Sequence, residues 1–246
     1  MSVGGCGGLR RLRGSALRVV LAALVLLAAT AVLSPAPGRA DTGDPVLLVH
    51  GGLGSPADFR QMIDWLDSDG YRSYTIDLGL PGIDTAANAE KIRARVDQIR
   101  AETGASKVHL VGHSMGGLSA RYYIKILGGL PHVASYTAFG TPQHGNPNGC
   151  LLVPDQCPYG PILQQLNRGD DTPGRIHYTS IASTQAHGDE ADGKWHPLDQ
   201  RACLPLIDGG PHDAEPRNAV IYQAVKDGLN STCPPRWRTN LPELKP

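Results

Sequence analysis

The chain has 246 residues, and its 23 basic and 23 acidic side chains balance to a formal charge of zero. After the first 40 residues there is no long run of like charge, which argues against the electrostatic footprint of a nucleic-acid binder. The remaining stretch of about 205 residues suits one domain around a single core, with no internal repeat and no low-complexity tract to divide it.

Residues 1–40 read as a signal peptide. Arg10, Arg11, Arg13 and Arg18 precede the apolar run from Val19 to Leu33, and Pro35, Pro37 and Gly38-Arg39-Ala40 follow. The run is shorter than the roughly 20 residues that span a bilayer, and the small residue Ala40 suits signal-peptidase cleavage. Export is therefore expected, with a retained N-terminal membrane anchor as the competing reading if the run is counted from Ser15. Cys6 would be lost on cleavage. Cys150, Cys157, Cys203 and Cys233 would remain, and in an oxidising compartment an even count favours two disulfides. Pairing Cys150 with Cys157 and Cys203 with Cys233 closes the most local loops. Zinc is the rival use, but no C-x-x-C spacing or paired histidine accompanies these cysteines.

Along residues 41–246, Val46-Leu47-Leu48-Val49 is a continuous apolar run of strand length, as expected for a strand covered on both faces of a parallel sheet. His50-Gly51-Gly52-Leu53-Gly54 follows it. Ser55, Pro56 and Asp58 then signal a helix start, with Phe59, Met62, Ile63 and Leu66 on its apolar face. Tyr71 to Ile76 predicts a second strand. A helix begins at Asp84, places Ala89, Ile92, Val96 and Ile99 on one face, and ends near Gly104. Lys107 to Val111 is a third strand, His132 to Phe139 a fourth, Arg175 to Ala182 a fifth and Leu204 to Ile207 a sixth. Asn218 to Leu229 supplies the closing helix. The alternation predicts an α/β fold with a mostly parallel, doubly wound sheet of about six strands flanked by helices. Between the fourth and fifth strands, residues of about 141–174 carry six prolines' worth of interruption around Cys150 and Cys157. This segment is too long for an ordinary connection and reads as an irregular insertion bordering the site.

The chemistry centres on Gly112-His113-Ser114-Met115-Gly116, a G-x-S-x-G sequence with an apolar strand before it and a helical pattern after it. That context describes a nucleophile elbow. Gly112 and Gly116 let neighbouring backbone approach a sharp turn that pushes Ser114 out above the sheet. The Met115 amide opens the following helix, where N–H groups without intrahelical partners favour a developing oxyanion. The glycine loop after the first strand is placed to give the second donor. It lacks the Lys-Ser/Thr of a phosphate-binding loop and the full dinucleotide fingerprint. A serine hydroxyl needs a base, usually histidine, oriented by a carboxylate. The chain order Ser, acid, His sets aside His50, His109 and His113 and leaves His132, His144, His177, His187, His196 and His212. Of these His212 is best placed, in the loop after the last strand and before the last helix.

On Val49-His50-Gly51-Gly52, on Glu102-Thr103-Gly104-Ala105 running through Lys107 and Val108 into His113-Ser114-Met115-Gly116-Gly117, and on Tyr122-Tyr123-Ile124-Lys125, the chain resembles the small secreted bacterial lipases of the lipase class 2 group, which are minimal α/β-hydrolases. Tyr178-Thr179-Ser180-Ile181 and Lys226-Asp227-Gly228-Leu229-Asn230 extend the resemblance, which runs from about Pro45 to Asn230. It implies Ser114 as nucleophile, His212 as base, the backbone N–H groups of Gly52 and Met115 as oxyanion hole, and no metal or cofactor. The acid departs from the pattern, because Ser183-Thr184-Gln185-Ala186 presents no carboxylate where such lipases carry one. Counting back from the histidine selects Asp189, with Asp192 as the alternative.

The expected activity is hydrolysis of acyl esters by a secreted triacylglycerol lipase or carboxylesterase through a Ser-His-Asp acyl-enzyme, on a monomer that meets lipid interfaces transiently and binds no nucleic acid. Acyl transfer to an alcohol or sugar through the same triad, and a catalytically inactive binding protein on the same scaffold, are the alternative readings.

Overall fold

A computed structural model describes residues 43–184, 198 and 201–235. Its centre is β1 (Val46–Val49), whose four residues are all buried. β1 pairs in parallel with β2 (Ser73–Ile76) on one side and with β3 (Val108–His113) on the other. β4 (Val133–Phe139), β5 (His177–Ser183) and β6 (Leu206–Ile207) continue the sheet in the order β2-β1-β3-β4-β5-β6, every pair parallel.

The side-chain alternation of a strand explains the two cores. Leu47 and Val49 face one side, where they join Ala89, Ile92, Val96 and Ile99 of α2 (Thr85–Thr103) and Tyr123 of α3 (Met115–Lys125). Val46 and Leu48 face the other, with Met62 and Leu66 of α1 (Arg60–Ser68) and Ile221 and Val225 of the C-terminal helix, Ala219–Leu229. Helices thus cover both faces, and the doubly wound parallel sheet expected from the alternating pattern is the architecture found.

Local chemistry sets the helix ends. Asp84 Oδ1 accepts from the Ala87 N–H at the start of α2, and Gly104, with φ 73°, closes the other end in the left-handed region. The Asn218 side chain caps the C-terminal helix by accepting from Val220 and Ile221. The Ser55 region differs in detail from expectation. Pro56–Phe59 forms a 3₁₀ turn, and the α-helix proper starts only at Arg60.

The insertion after β4 is less irregular than its prolines suggest. It contains 3₁₀ turns at Pro147–Cys150 and Pro154–Gln156, then the helix α4 (Pro161–Leu166). Proline is tolerated at a first helical position, where its missing N–H has no intrahelical partner. Leu163 and Leu166, three residues apart, bury themselves against Met115 and Leu118 of α3. The C-terminal helix is therefore α5.

Both expected disulfides are formed, Cys150–Cys157 across 7 positions and Cys203–Cys233 across 30. Chain-entropy reasoning gives about 2.5 kcal/mol for the shorter loop and about 3.7 kcal/mol for the longer. Replacing Cys203 and Cys233 together with serine is expected to lower the unfolding free energy by the larger amount, read as a shift in the urea midpoint. An equal loss from both cysteine pairs would contradict the loop-length argument.

Candidate active site

The strand order reverses around β1 and β3, so the loops leaving their carboxyl ends diverge and open a crevice, the usual ligand position in such sheets. The loop after β1 carries Gly51 and Gly52, and the turn after β3 carries Ser114. Ser114 has φ 53° and ψ −127°, a left-handed backbone that a non-glycine residue adopts only when its surroundings enforce it.

The enforcement is visible around it. The Ser114 N–H donates to Phe139 O at 3.1 Å, and Ser114 O accepts from the Gly117 N–H and from Thr141 Oγ1, each at 3.0 Å. A Cβ at Gly116 would lie 2.3 Å from the Val49 carbonyl oxygen, and one at Gly112 would lie 2.6 Å from the Gly117 backbone. Both glycines are required for the close approach that the sequence pattern predicted. Met115, directly after the serine, opens α3, so its N–H is among those with no partner inside the helix.

The glycine loop is braced from behind. His50, buried to 1% exposure, accepts from the Leu78 N–H through Nε2 at 3.0 Å, which leaves Nδ1 to donate to Gly51 O at 2.8 Å. Leu53 follows with φ 59°, its N–H held by Pro81 O at 2.8 Å. A Cβ on Gly51 would come within 2.7 Å of Ser114 Cβ, and one on Gly52 within 3.6 Å of Met115 Cγ. Gly52 and Met115, the two expected oxyanion residues, are therefore brought together beside Ser114.

His212 opens the 3₁₀ segment His212–Arg217 just ahead of α5. Its ring centroid lies 4.5 Å from that of His113, the residue immediately before Ser114. The structure thus brings the expected base to the elbow. It also brings a carboxylate that sequence reasoning missed. Glu215 is completely buried, with Oε2 3.3 Å from His212 Nδ1 and 3.2 Å from His113 Nε2. Burial pushes the Glu215 carboxyl up, but His113 and His212 outweigh it and hold it below the ordinary range, so it is an anion at neutral pH. Burial pushes the His113 ring the other way, below the usual histidine range, although Glu215 opposes this. His113 also stacks on Phe139 at a centroid distance of 5.1 Å. The signal for Glu215 was present as a carboxylate three residues after His212, on the same side of a helical turn.

The other expectations separate cleanly. Asp189, Asp192, His187 and His196 lie outside the described residues. His144 is occupied elsewhere, with Nε2 2.9 Å from Asp171 Oδ2. His109 pairs through Nδ1 with Ser135 Oγ at 2.7 Å.

A profile described as the alpha/beta hydrolase fold matches residues 44–151. Among curated proteins, a triacylglycerol lipase of Burkholderia plantarii is 39% identical over 130 residues, 48% of this chain and 36% of that protein. A triacylglycerol lipase of Vibrio cholerae is 31% identical over 175 residues, 69% of this chain and 52% of that protein. The chain thus matches from about a third to a half of the length of these relatives. The mature Bacillus licheniformis lipase BlEst2 superposes with a TM-score of 0.61 at 18% identity, covering 79% of this chain and 95% of that one. Aspergillus fumigatus lipase B gives 0.62 at 16% identity, covering 82% and 55%. This chain has the α/β-hydrolase fold.

Within this fold the insertion is tied to the elbow helix by Arg121, a fully buried side chain of α3. Its guanidinium donates to Gln143 O at 2.8 Å, Leu166 O at 3.0 Å, Asn167 Oδ1 at 3.1 Å and Asp171 Oδ1 at 2.8 Å. Burial pushes the Asp171 carboxyl up, yet His144 and Arg121 outweigh it and leave it below its ordinary range. Replacing Arg121 with methionine keeps the bulk but leaves the Asp171 charge poorly compensated. The expected loss is about 3 to 5 kcal/mol of stability. Chemical denaturation of the variant checks it, and a midpoint close to that of the unaltered chain would refute the anchoring role.

Proposed function

We propose that this chain is a secreted serine hydrolase of carboxylic esters, acting on acyl esters of lipids after removal of residues 1–40. The observation that carries the reading is Ser114 in its enforced left-handed turn, with His212, from a segment late in the chain, packed against the adjoining His113 at a ring-centroid distance of 4.5 Å. The names of the curated relatives, triacylglycerol lipases, support the substrate class.

In the proposed cycle Ser114 Oγ attacks the ester carbonyl while His212 takes its proton. The Gly52 and Met115 N–H groups meet the oxyanion, and His212 returns the proton to the departing alcohol. Water, activated by the same histidine, then releases the acid and restores the serine. Asp189 is the carboxylate expected to orient His212 from its place in the sequence. Glu215 adds a second negative charge against the imidazolium.

Leu53 and Leu80, in the loops after β1 and β2, and Leu151, Leu152 and Tyr159, in the insertion after β4, are all largely exposed. These connections leave the carboxyl ends of the strands, on the side that carries Ser114. An apolar rim of this kind fits contact with acyl chains at a lipid surface. The two disulfides accord with export, and no helix among the described residues is long and apolar enough to cross a membrane.

The deciding experiment treats the oxidised chain lacking residues 1–40 with a fluorophosphonate probe and follows hydrolysis of p-nitrophenyl butyrate and palmitate. Covalent labelling with turnover of either ester supports the reading. Labelling with turnover only when an alcohol acceptor is added would replace it with acyl transfer. A folded chain that neither labels nor turns over would be a binding protein.

A further inference from the structure

The hydrolytic cycle leaves one arrangement unexplained. His113, His212 and Glu215 each offer one ligand atom, and the three atoms lie within 4.8 Å of one another. Both imidazoles approach the same oxygen, Oε2 of Glu215, at 3.2 and 3.3 Å. Zinc bonds to imidazole nitrogen and carboxylate oxygen are about 2.0 to 2.1 Å long, and a tetrahedron with such bonds has edges of about 3.3 Å. The two separations match that edge.

Direction argues the same way as distance. Among the described residues, His113 Nε2 and both carboxylate oxygens of Glu215 are buried, and none meets a partner in hydrogen-bond geometry. An N–H···O bond places the proton close to the line between two heavy atoms, whereas a cation needs lone pairs that converge on a point away from that line. Two imidazoles and a carboxylate form the borderline donor set that zinc accepts, and magnesium or calcium would require oxygen ligands instead. Glu215 is fully buried and packs closely against the chain at Gly140, where a Cβ would lie 2.1 Å from Oε2. His212 is the partly exposed member and leaves a way in.

We propose that His113 Nε2, His212 Nδ1 and Glu215 Oε2 bind a divalent transition ion of the zinc type, and that occupancy switches the hydrolase off. The inhibitory half rests on the serine-hydrolase reading, and the binding half does not. A neutral imidazole has one lone pair and one N–H. To accept the serine proton, His212 carries hydrogen on Nδ1 and the lone pair on Nε2. An ion on Nδ1 takes that nitrogen's lone pair, and the ring proton moves to Nε2. The nitrogen facing the serine then has no lone pair, so Ser114 loses its base although no side chain is removed. The ion's fourth position stays with water.

Cobalt(II) tests the site directly, because a tetrahedral cobalt centre absorbs strongly in the visible. Cobalt is titrated into the oxidised chain lacking residues 1–40, zinc is added to displace it, and inhibition of p-nitrophenyl butyrate hydrolysis by zinc is followed in parallel. Visible bands that saturate at one equivalent are expected. Zinc should bleach them, inhibit over the same range, and be reversed by a chelator. Ser114→Ala should keep the bands. Both His113→Phe and Glu215→Gln should lose them and raise the zinc concentration needed for half-inhibition by about 100-fold. Two independent variants, each checked by circular dichroism, protect the test against one that fails to fold. Absence of bands in the unaltered chain would overturn the site, as would bands and inhibition unchanged in both variants. Bands without any ester hydrolysis in the metal-free chain would sink the hydrolase reading and the inhibition with it, while supporting the site.

Discussion

Ser114→Ala is expected to lower turnover of an acyl ester by about six powers of ten and to abolish fluorophosphonate labelling. The size follows from the chemistry, since without the hydroxyl no acyl-enzyme can form and His212 has no proton to take. The residual rate, about three to four powers of ten above water, would come from binding and the oxyanion donors at Gly52 and Met115. Stability should change little. Alanine inherits the same left-handed backbone, and the contacts that enforce the turn run through the Ser114 N–H and carbonyl. Active-site kinetics and a urea titration on one preparation separate the two effects. A variant that keeps more than a hundredth of its turnover would remove Ser114 from the nucleophile role.

The second large effect concerns the carboxylates. Asp189→Asn is expected to cut turnover by about four powers of ten, because an amide holds the imidazole in the wrong tautomer. Glu215→Gln should act differently. An anion 3.3 Å from His212 Nδ1 favours the protonated ring, so its removal makes that ring easier to deprotonate. The acid limb of the pH–rate profile is then expected to move to lower pH. Glu215 itself contributes its charge throughout the neutral range, since its own carboxyl is held below the ordinary value. If Asp189→Asn leaves turnover almost intact while Glu215→Gln removes four powers of ten, the orienting role passes to Glu215. The double variant tells whether the two carboxylates act on one imidazole, because their effects would then combine non-additively.

What could be read from the sequence was whatever depended on neighbours along the chain. The apolar run at Val46–Val49, the caps at Asp84 and Gly104, and the glycines around Ser114 each declare a local requirement, and each sits where the pattern placed it. Pairing Cys150 with Cys157 and Cys203 with Cys233 followed from loop length alone. The features that escaped depend on contacts between distant segments. Arg121 reads as a polar residue on a helix, and only the folded chain brings Gln143, Leu166, Asn167 and Asp171 around its guanidinium. Glu215 reads as a loop acid until His113, about a hundred positions earlier in a strand that chain order had set aside as a source of the base, comes to lie against it. The short helix α4 was hidden by prolines that in fact mark its first turn.

The segment between Cys150 and Cys157 begins and ends at almost the same point, with the two Cα atoms 4.3 Å apart. Its outer residues Leu151 and Leu152 face away from the body, while Asp155 Oδ2 grips the first N–H of α2 at 2.7 Å. Such a loop is a cassette. Its closed base separates changes at its tip from the protein beneath, and under the proposed function the six positions between the cysteines are where acyl-chain preference would be varied while Asp155 and the clasp are kept. Such an outer loop would let substrate preference drift while the turn at Ser114 stays as it is.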